Sequence, residues 1–231
     1  MYRFIQSRVQ KLIPKISETE KIALRSGGVH VDRDIFKGSV NVNQYVPQQT
    51  VKIMDDMRPN VTRLLEKVSS SPIYPSDQIQ NIMKTAGDEK MMGMIIKKKY
   101  GGTELPVSVQ SKILTTISSY NPSLGVSIMV PNSLGPGELL QHYGTDEQQQ
   151  FYLPKLASGS FVPCFGLTGP HNGSDATGSI DSGVIVKDSN GKLLIKVTID
   201  KRYITLAPIS NLVGLAIDVQ DPDQHLPETL S

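Results

Sequence analysis

The chain has 231 residues, a formal net charge of +2 at pH 7, 38% hydrophobic residues and 20% charged residues. This composition is typical of a globular protein with a sizeable core, arranged as one large domain or two small ones. The charge is too small, and basic residues are too rarely interleaved with aromatic ones, to predict a nucleic-acid surface. Cys164 is the only cysteine, which excludes an internal disulfide and a thiolate metal cluster and fits a reducing compartment. We interpret Cys164 as a small buried hydrophobe.

The first segment of the chain, residues 1–16, is basic and partly amphipathic, and residues 1–17 contain no Asp or Glu. Such a segment fits an interfacial membrane anchor, a mitochondrial presequence or an ordinary first helix packed on its own domain. No stretch approaches the roughly 18 apolar residues that a membrane-spanning helix needs. We therefore predict a cytoplasmic protein, with peripheral contact to the inner membrane through residues 1–16 as one option and a mitochondrial location as the alternative.

Helix signals then follow in chain order. A capping box at residues 17–20 opens a helix that Gly27-Gly28 should close, which completes a leader and first helix within residues 1–30. Residues 54–68 have helical spacing, which Pro59 should break. The signals at 75–77 predict a further helix that ends near Gly87.

Three more helices are predicted before residue 160. Residues 106–120 carry apolar side chains at four-residue spacing, and residues 123–134 are apolar nearly all round, as in a helix buried in a bundle. A capping box at 145–148 opens the last helix, which Pro154 should kink or restart. Four of the eight methionines fall within residues 83–94, a spacing more typical of adaptable core filler than of a partner groove.

From residue 160 onward the pattern changes from helix to strand. Asp188–Gly191 is typical of a hairpin turn between two strands. Helical runs followed by strand runs predict an α+β fold, with an N-terminal helical domain over 1–159 and a β domain over 160–231. The predicted strands are 161–167, 183–187, 193–200, 202–206 and 211–219.

An apolar run breaks into Gly, Ser, Thr, Asn and Asp within residues 163–178. A strand that ends in such a loop can turn backbone N–H groups and small hydroxyls toward an anion or a polar heterocycle. The same composition is more often that of a simple connecting loop. The residues by themselves leave both interpretations open.

Three segments carry a family resemblance. Residues 167–175 contain Leu-Thr, then Pro, then Gly-Ser-Asp, and residues 203–205 read Tyr-Ile-Thr. Residues 144–156 contain Gly-Thr-Asp-Glu-Gln followed by Tyr-Leu-Pro-Lys-Leu. Together these three segments resemble the acyl-CoA dehydrogenase family. The runs 131–144 and 201–208 further resemble its large bacterial members of long-chain fatty-acid β-oxidation.

The resemblance implies an N-terminal helical bundle followed by an antiparallel β-barrel or sandwich, which is incomplete in this chain. It implies α,β-dehydrogenation of long-chain acyl-CoA thioesters with FAD, an electron-transfer flavoprotein as acceptor, and a homo-oligomer in the complete enzyme. It also implies a set of cofactor-binding positions. These are Phe165, Leu167, Thr168, Ser174, Tyr203, Ile204 and Thr205.

The same resemblance gives these positions roles. Thr168 would lie along the pyrimidine edge of the flavin, together with the backbone of Leu167 and Phe165. Thr205 would donate toward the flavin N5, and Tyr203 would pack beside the ring system. Ser174 would face the acyl-CoA substrate or the cofactor diphosphate.

Two departures from the family pattern limit the prediction. Gly169 stands where much of the family has an acid after Leu-Thr. In the family a C-terminal helical domain supplies the catalytic Glu, whereas this sequence reaches Ser231 while still within the β pattern. We therefore assign no catalytic residue and no metal ligand. Two hypotheses remain: part of an FAD-dependent acyl-CoA dehydrogenase, or a non-catalytic module that binds acyl-CoA or flavin or contacts a partner.

Overall fold

The computed structural model describes residues 34–41, 48–68, 78–133, 135–175, 178 and 181–226. The chain divides into two compact units, residues 1–48 and 49–231. In the first unit a single helical turn at 34–36 is closed by Gly38, which has a φ of 67° and donates its N–H to the Ile35 carbonyl at 2.9 Å. The predictions for residues 1–30 and for the helix start at 75–77 lie outside the described residues.

The predicted helices are present within the described ranges. Pro59 does not break the first of them, because its exposed ring leaves the buried face carrying Val61 and Leu64 intact. Pro154 likewise lies inside the last helix without ending it. The helices are α1 (Gln48–Lys67), α2 (Ile79–Asp88), α3 (Val107–Tyr120), α4 (Pro122–Met129), α5 (Pro136–Tyr143) and α6 (Asp146–Ala157).

Local capping sets where two of these helices begin. Thr145 Oγ1 accepts a hydrogen bond from the Gln148 N–H at 3.3 Å, and Gln148 Oε1 accepts one from the Thr145 N–H at 2.9 Å, which confirms the capping box of α6. Asn121 Oδ1 accepts from the Leu124 N–H at 2.9 Å and caps α4. Contrary to the prediction, α4 is not buried all round, because Val126 is 39% and Met129 45% exposed.

The core of the second unit lies among the helices. Val109, Ile113 and Ile117 of α3 are fully buried, as their spacing predicts. The methionine cluster of residues 83–94 is confirmed as core filler, because its four members are at most 2% exposed. The largest fully buried side chains are Leu64, Met83, Met91, Met92, Met94, Ile96, Ile113, Ile117, Leu124, Ile128, Leu153 and Leu156.

A buried carboxylate joins α1 to the end of α2. The Glu89 side chain is 6% exposed and accepts hydrogen bonds from Arg63 Nε at 2.9 Å and Lys67 Nζ at 2.7 Å. Burial alone would raise the pKa of Glu89, but the hydrogen bonds and positive charges of Lys67 and Arg63 hold this pKa below its ordinary value. The pair of cations therefore keeps a charged group stable at the edge of the core.

The strands confirm the α+β class and correct the predicted sheet. Strands β2 and β3 form the predicted antiparallel hairpin, but β1 pairs with β4 and β2 pairs with β5 in parallel. Within the described residues the two sheets do not close into a barrel. The predicted strand 211–219 is two strands. The strands are β1 (Pro163–Gly166), β2 (Ser182–Lys187), β3 (Leu193–Thr198), β4 (Leu212–Leu215) and β5 (Asp218–Gln220).

Polar side chains explain these pairings. Asp188 Oδ1 accepts from the N–H groups of Asn190 at 2.8 Å and Lys192 at 2.9 Å, which fixes the tight turn that makes β2 and β3 antiparallel. Asn211 Oδ1 accepts from the Val162 N–H at 2.8 Å, and Asn211 Nδ2 donates to the Ser160 carbonyl at 3.0 Å. Asn211 therefore aligns the start of β4 beside the start of β1.

The predicted strand at 202–206 is wrong. Tyr203 and Leu206 have φ values of 57° and 67°, and Ala207–Ile209 form a 3-10 helix, so this segment turns. The side chains of Leu206 and Ile209 pack against the helical core, and Pro208 has no N–H for a strand ladder. Tertiary packing therefore overrides the strand propensity of Tyr, Ile and Thr.

The predicted domain boundary near residue 160 stays a prediction. The last helix ends at Ala157 and the first strand begins at Pro163, and both lie in the same compact unit.

Candidate functional site

The loop after β1 folds back tightly on itself. Gly169 donates its N–H to the Asn172 carbonyl at 3.3 Å, and Asn172 Nδ2 donates to the Leu167 carbonyl at 3.1 Å. A Cβ atom at Gly169 would lie 2.8 Å from Asn172 Oδ1 and 2.9 Å from the Asp200 carbonyl oxygen. A larger residue at position 169 would therefore require Asn172 or the backbone at Asp200 to shift.

The first predicted cofactor segment is bonded to the two residues that directly precede the second. The Arg202 N–H donates to the Thr168 carbonyl at 3.1 Å, and Lys201 Nζ donates to the Leu167 carbonyl at 3.1 Å. These two bonds join the end of the first segment, Leu167 and Thr168, to the residues that directly precede Tyr203. The fold thereby brings together two stretches that are about 35 residues apart in the sequence.

A buried ion pair lies under this junction. Lys201 Nζ lies 2.5 Å from Asp181 Oδ2, and each side chain is 6% exposed. The second oxygen, Asp181 Oδ1, accepts from the Asp200 N–H at 2.8 Å. The sequence did not predict this pair, because its members are twenty residues apart and no local pattern joins them.

The predicted cofactor residues differ in exposure. Phe165, Leu167 and Thr168 are half-buried, whereas Ser174 and Thr205 are exposed. Tyr203 is 93% exposed, which is unusual for a large aromatic side chain. Ile204 is half-buried, and its carbonyl accepts from the Ala207 N–H at 3.1 Å. The structure bonds the first segment to Lys201 and Arg202, just before the second segment, and the assignment of both segments to a flavin stays a prediction.

An apolar cavity of about 350 Å³ adjoins the first segment. It lies between α5, the first turns of α6, and strands β1 and β4, with Phe165 in its wall. A Cβ atom at Gly214 would lie 2.9 Å from Pro136 Cγ and 3.0 Å from the Phe165 ring, so glycine is needed for β4 to approach this closely. The other apolar walls come from Leu139, Leu140, Tyr143, Tyr152, Leu212 and Leu215.

The chemistry of this cavity is that of an apolar binding site. Its described lining contains no Asp, Glu, His, Lys or Arg, and Gln148 is its only side-chain amide. A flat aromatic or aliphatic group suits such walls, because polar groups there are few and ligand pockets are mostly apolar. Charge for an anionic ligand would have to come from elsewhere.

Two further features are absent from the described parts of the chain. There, no group of three or more His, Cys, Asp or Glu side chains is placed to hold a metal ion. Nor does any helix in those ranges combine the length and the apolar composition needed to cross a membrane. Cys164 is 1% exposed and accepts a hydrogen bond from Ser210 Oγ at 3.2 Å, in agreement with its interpretation as a buried hydrophobe.

Comparisons with known proteins identify the helical part first. The acyl-CoA dehydrogenase N-terminal domain matches residues 54–160. The chain is 29% identical over 187 residues to an acyl-CoA dehydrogenase from Bacillus subtilis (strain 168), covering 80% of this chain and 47% of that protein. It is 29% identical over 160 residues to the mitochondrial very long-chain specific acyl-CoA dehydrogenase of Bos taurus, covering 64% and 24% of the two chains. The chain thus spans about half or less of the length of these relatives.

Solved structures show the same fold at lower identity. An acyl-CoA dehydrogenase from Bacillus anthracis, solved with FAD, superposes with a TM-score of 0.56 at 21% identity, covering 74% of this chain and 29% of that one. A chain from the electron transferring flavoprotein structure of Acidaminococcus fermentans superposes with a TM-score of 0.55 at 22% identity, covering 71% and 42%. From the matched domain and the curated relatives, we conclude that residues 54–160 form an acyl-CoA dehydrogenase N-terminal domain and that the chain is similar to members of this family.

Proposed function

We propose that the chain forms the N-terminal and middle part of an FAD-dependent acyl-CoA dehydrogenase that acts on long-chain acyl-CoA thioesters in fatty-acid β-oxidation. The observation that carries the proposal is the hydrogen-bonded junction of Leu167 and Thr168 with Lys201 and Arg202, at the end of the strand whose Phe165 lines an apolar cavity. The similarity to acyl-CoA dehydrogenases indicates which chemistry to expect, and we propose that the flavin binds at this junction.

The residues at the junction fit a flavin. An isoalloxazine has flat apolar faces and a polar pyrimidine edge, so it needs an apolar wall beside backbone amides and a hydroxyl. Phe165 offers the first, and the N–H and hydroxyl of Thr168 would offer the second, since the Leu167 N–H already donates to the Phe165 carbonyl at 3.1 Å. Around Gly173 the space is open, because an added Cβ there meets no atom within 4 Å, so Ser174 is accessible to a diphosphate or to acyl-CoA.

Bound FAD would supply the acceptor for the hydride that leaves the β carbon of the thioester. The contribution of this chain is to hold and orient the ring. Thr168 would hydrogen-bond the pyrimidine edge, Thr205 would donate toward N5, and the exposed Tyr203 and the adjacent Ile204 would pack beside the ring.

A second candidate function is a non-catalytic module that binds acyl-CoA or flavin. It is favoured by one observation: the described lining of the cavity contains no acid or base that could remove the substrate α proton. In that case the chain would bind its ligand without dehydrogenation, or would contact a partner that provides the base.

The finer features of the proposal rest on the relatives. The long-chain preference is supported by the similarity to a very long-chain specific enzyme and by the runs 131–144 and 201–208. An electron-transfer flavoprotein is the proposed acceptor, and a homo-oligomer is the proposed assembly of the complete enzyme. The proposed location is cytoplasmic, with residues 1–16 in peripheral contact with the inner membrane, or alternatively mitochondrial.

The test is a titration of the purified chain with FAD, followed by anaerobic addition of short-, medium- and long-chain acyl-CoA. We expect bound flavin, with a visible absorption band that shifts most strongly with the long-chain thioester. Bleaching is not required, because the resemblance assigns the catalytic Glu to the C-terminal helical domain. Binding of acyl-CoA without FAD would support the non-catalytic module. Absence of binding to both ligands would contradict the two candidates together.

A further inference from the structure

The buried pair of Asp181 and Lys201 has a geometry that surface ion pairs lack. Lys201 Nζ contacts Asp181 Oδ2 at 2.5 Å and donates to the Leu167 carbonyl at 3.1 Å. One ammonium group therefore bonds both a carboxylate and the backbone of the first predicted flavin segment. An ammonium has three donors, so it can make both bonds at once.

The Asp181 carboxylate also bonds the backbone just before the second predicted segment, residues 203–205. Asp181 Oδ1 accepts from the Asp200 N–H at 2.8 Å, one residue before Lys201. The Arg202 N–H donates to the Thr168 carbonyl at 3.1 Å. Three consecutive residues, 200–202, are thus fixed to Asp181 or to the first segment before the chain reaches Tyr203.

Tyr203 then adopts a φ of 57°, a region that is strained for a bulky side chain. Such backbone conformations persist where the surrounding structure fixes them, and they concentrate at ligand sites. Asp200 and Lys201, which Asp181 contacts, lie directly upstream of this strained Tyr203 backbone.

We propose that the Asp181–Lys201 pair is a positioning clamp that sets the separation of residues 167–168 and 203–205, so that Lys201 is a positioning residue for the flavin. The inference rests on the proposed function for its ligand. Its structural part, the mechanical coupling of the two segments, stands on the contacts alone.

The chain offers a matched control away from the junction. Arg58 Nη2 pairs with Asp55 Oδ1 at 2.7 Å, and these side chains are 70% and 58% exposed. A solvated pair of this kind contributes little, whereas breaking a buried pair leaves an uncompensated charge. The variants Lys201→Met and Arg58→Met therefore each remove one positive charge, the first from the buried clamp and the second from a surface pair outside the candidate site.

The experiment measures the FAD dissociation constant and amide hydrogen exchange of 167–173 and 202–206 in the full chain. Lys201→Met and Asp181→Asn should each weaken FAD binding roughly tenfold or more, the scale of one lost charge-assisted hydrogen bond. Both segments should exchange faster together. Arg58→Met should change FAD binding by less than about twofold.

A double variant separates positioning from stability. Asp181→Leu with Lys201→Met removes both charges, and such apolar replacements of buried pairs often keep or raise stability. We expect this double variant to regain the thermal midpoint of the wild type but to keep weak FAD binding and fast exchange. A purely structural role predicts that affinity and exchange recover with the midpoint, and that result would overturn the clamp.

The two proposals fail differently. If the wild type binds no FAD, the proposed function is contradicted, and hydrogen exchange alone decides the clamp. Faster exchange of both segments in Lys201→Met and Asp181→Asn would still support the clamp. Unchanged exchange in these variants would overturn it whether or not flavin binds.

Discussion

The helical part and the sheet part of the second unit are stabilised in different ways. The twelve largest fully buried side chains all precede residue 160, whereas all six residues of β3 are exposed. Helices satisfy their own backbone hydrogen bonds and need only one apolar face covered, so the helical part closes its own core. A sheet needs neighbours at its edges and on its faces, and β3 has an uncovered outer edge in the described part of the chain.

The difference shows what holds the candidate site. The apolar packing that fixes the helices is sparse beyond residue 160, where Val162, Cys164 and Ile185 are the buried hydrophobic residues in the described part. The junction of the two predicted flavin segments is held instead by backbone hydrogen bonds and by the Asp181–Lys201 pair. The helical part is thus stabilised mainly by apolar contacts, whereas the candidate site is stabilised mainly by hydrogen bonds and an ion pair.

The largest effect on stability is expected when the same substitution, Leu to Ala, is made in the helical core and in the exposed strand. Leu124→Ala in α4 removes a fully buried side chain, so it should lower the free energy of unfolding by about 2–5 kcal/mol. Leu194→Ala in β3 removes a side chain that is 44% exposed and should cost less than about 1 kcal/mol. Urea denaturation followed by circular dichroism measures both. Equal losses would contradict the contrast between the two parts.

A charged contact at the edge of the helical core should come next. Glu89→Gln weakens two charge-assisted hydrogen bonds and should lower the free energy of unfolding by about 1.5 kcal/mol. The folded state lowers the pKa of Glu89 below its ordinary value of 4.5, so its stabilisation is full above pH 4.5 and is lost as the pH falls through the folded pKa. The difference between the wild type and Glu89→Gln should therefore shrink in acid. Thermal unfolding from neutral to acidic pH tests this, and a difference independent of pH would argue against the charged contact.

The capping box of α6 should have a smaller effect. Thr145→Ala removes the acceptor for the Gln148 N–H and should cost about 1 kcal/mol. Thr115→Ala is the control, because Thr115 is exposed within α3 and bonds only the Ser111 carbonyl of its own helix, so its cost should stay within about 0.5 kcal/mol. Chemical denaturation measures the free energy of unfolding of both variants. Equal losses would contradict a stabilising role of the capping box.

The smallest effect on stability is expected at the sheet edge. Leu194→Lys adds a charge to the exposed β3, so it should reduce concentration-dependent association while changing the free energy of unfolding by less than about 0.5 kcal/mol. Val126→Lys adds the same charge to the exposed side of α4 and should leave association unchanged. Light scattering at increasing protein concentration compares them. If both variants associate as the wild type does, the exposed strand is not the source of association.

The helices could be predicted from the sequence because their signals are local. The four-residue spacing of Val109, Ile113 and Ile117 and the capping pair Thr145 and Gln148 lie within one or a few turns. The failures came from contacts that sequence spacing does not contain. Parallel pairing of β1 with β4 depends on long connections, and the turn at Tyr203 depends on the packing of Leu206 and Ile209 against helices far away in the chain.

The candidate site was predictable only in part. The motif letters around Thr168 and Thr205 predicted two segments, and the fold bonds Thr168 to Arg202, which directly precedes the second segment. The pair of Asp181 and Lys201 was missed, because no local pattern joins an acid and a lysine twenty residues apart. The departure from the family pattern at Gly169 was visible in the sequence, but the close approach of the Asp200 carbonyl, 2.9 Å from an added Cβ, was not.

The most direct test of the central claim is the FAD dissociation constant of Thr168→Val beside that of Thr198→Val, an identical change on the exposed β3. If the junction holds the flavin, the first variant should bind FAD about fivefold to tenfold more weakly, the scale of one lost hydrogen bond, and the second should bind as the wild type does. Equal affinities of the two variants, or a wild type that binds no FAD, would contradict the account.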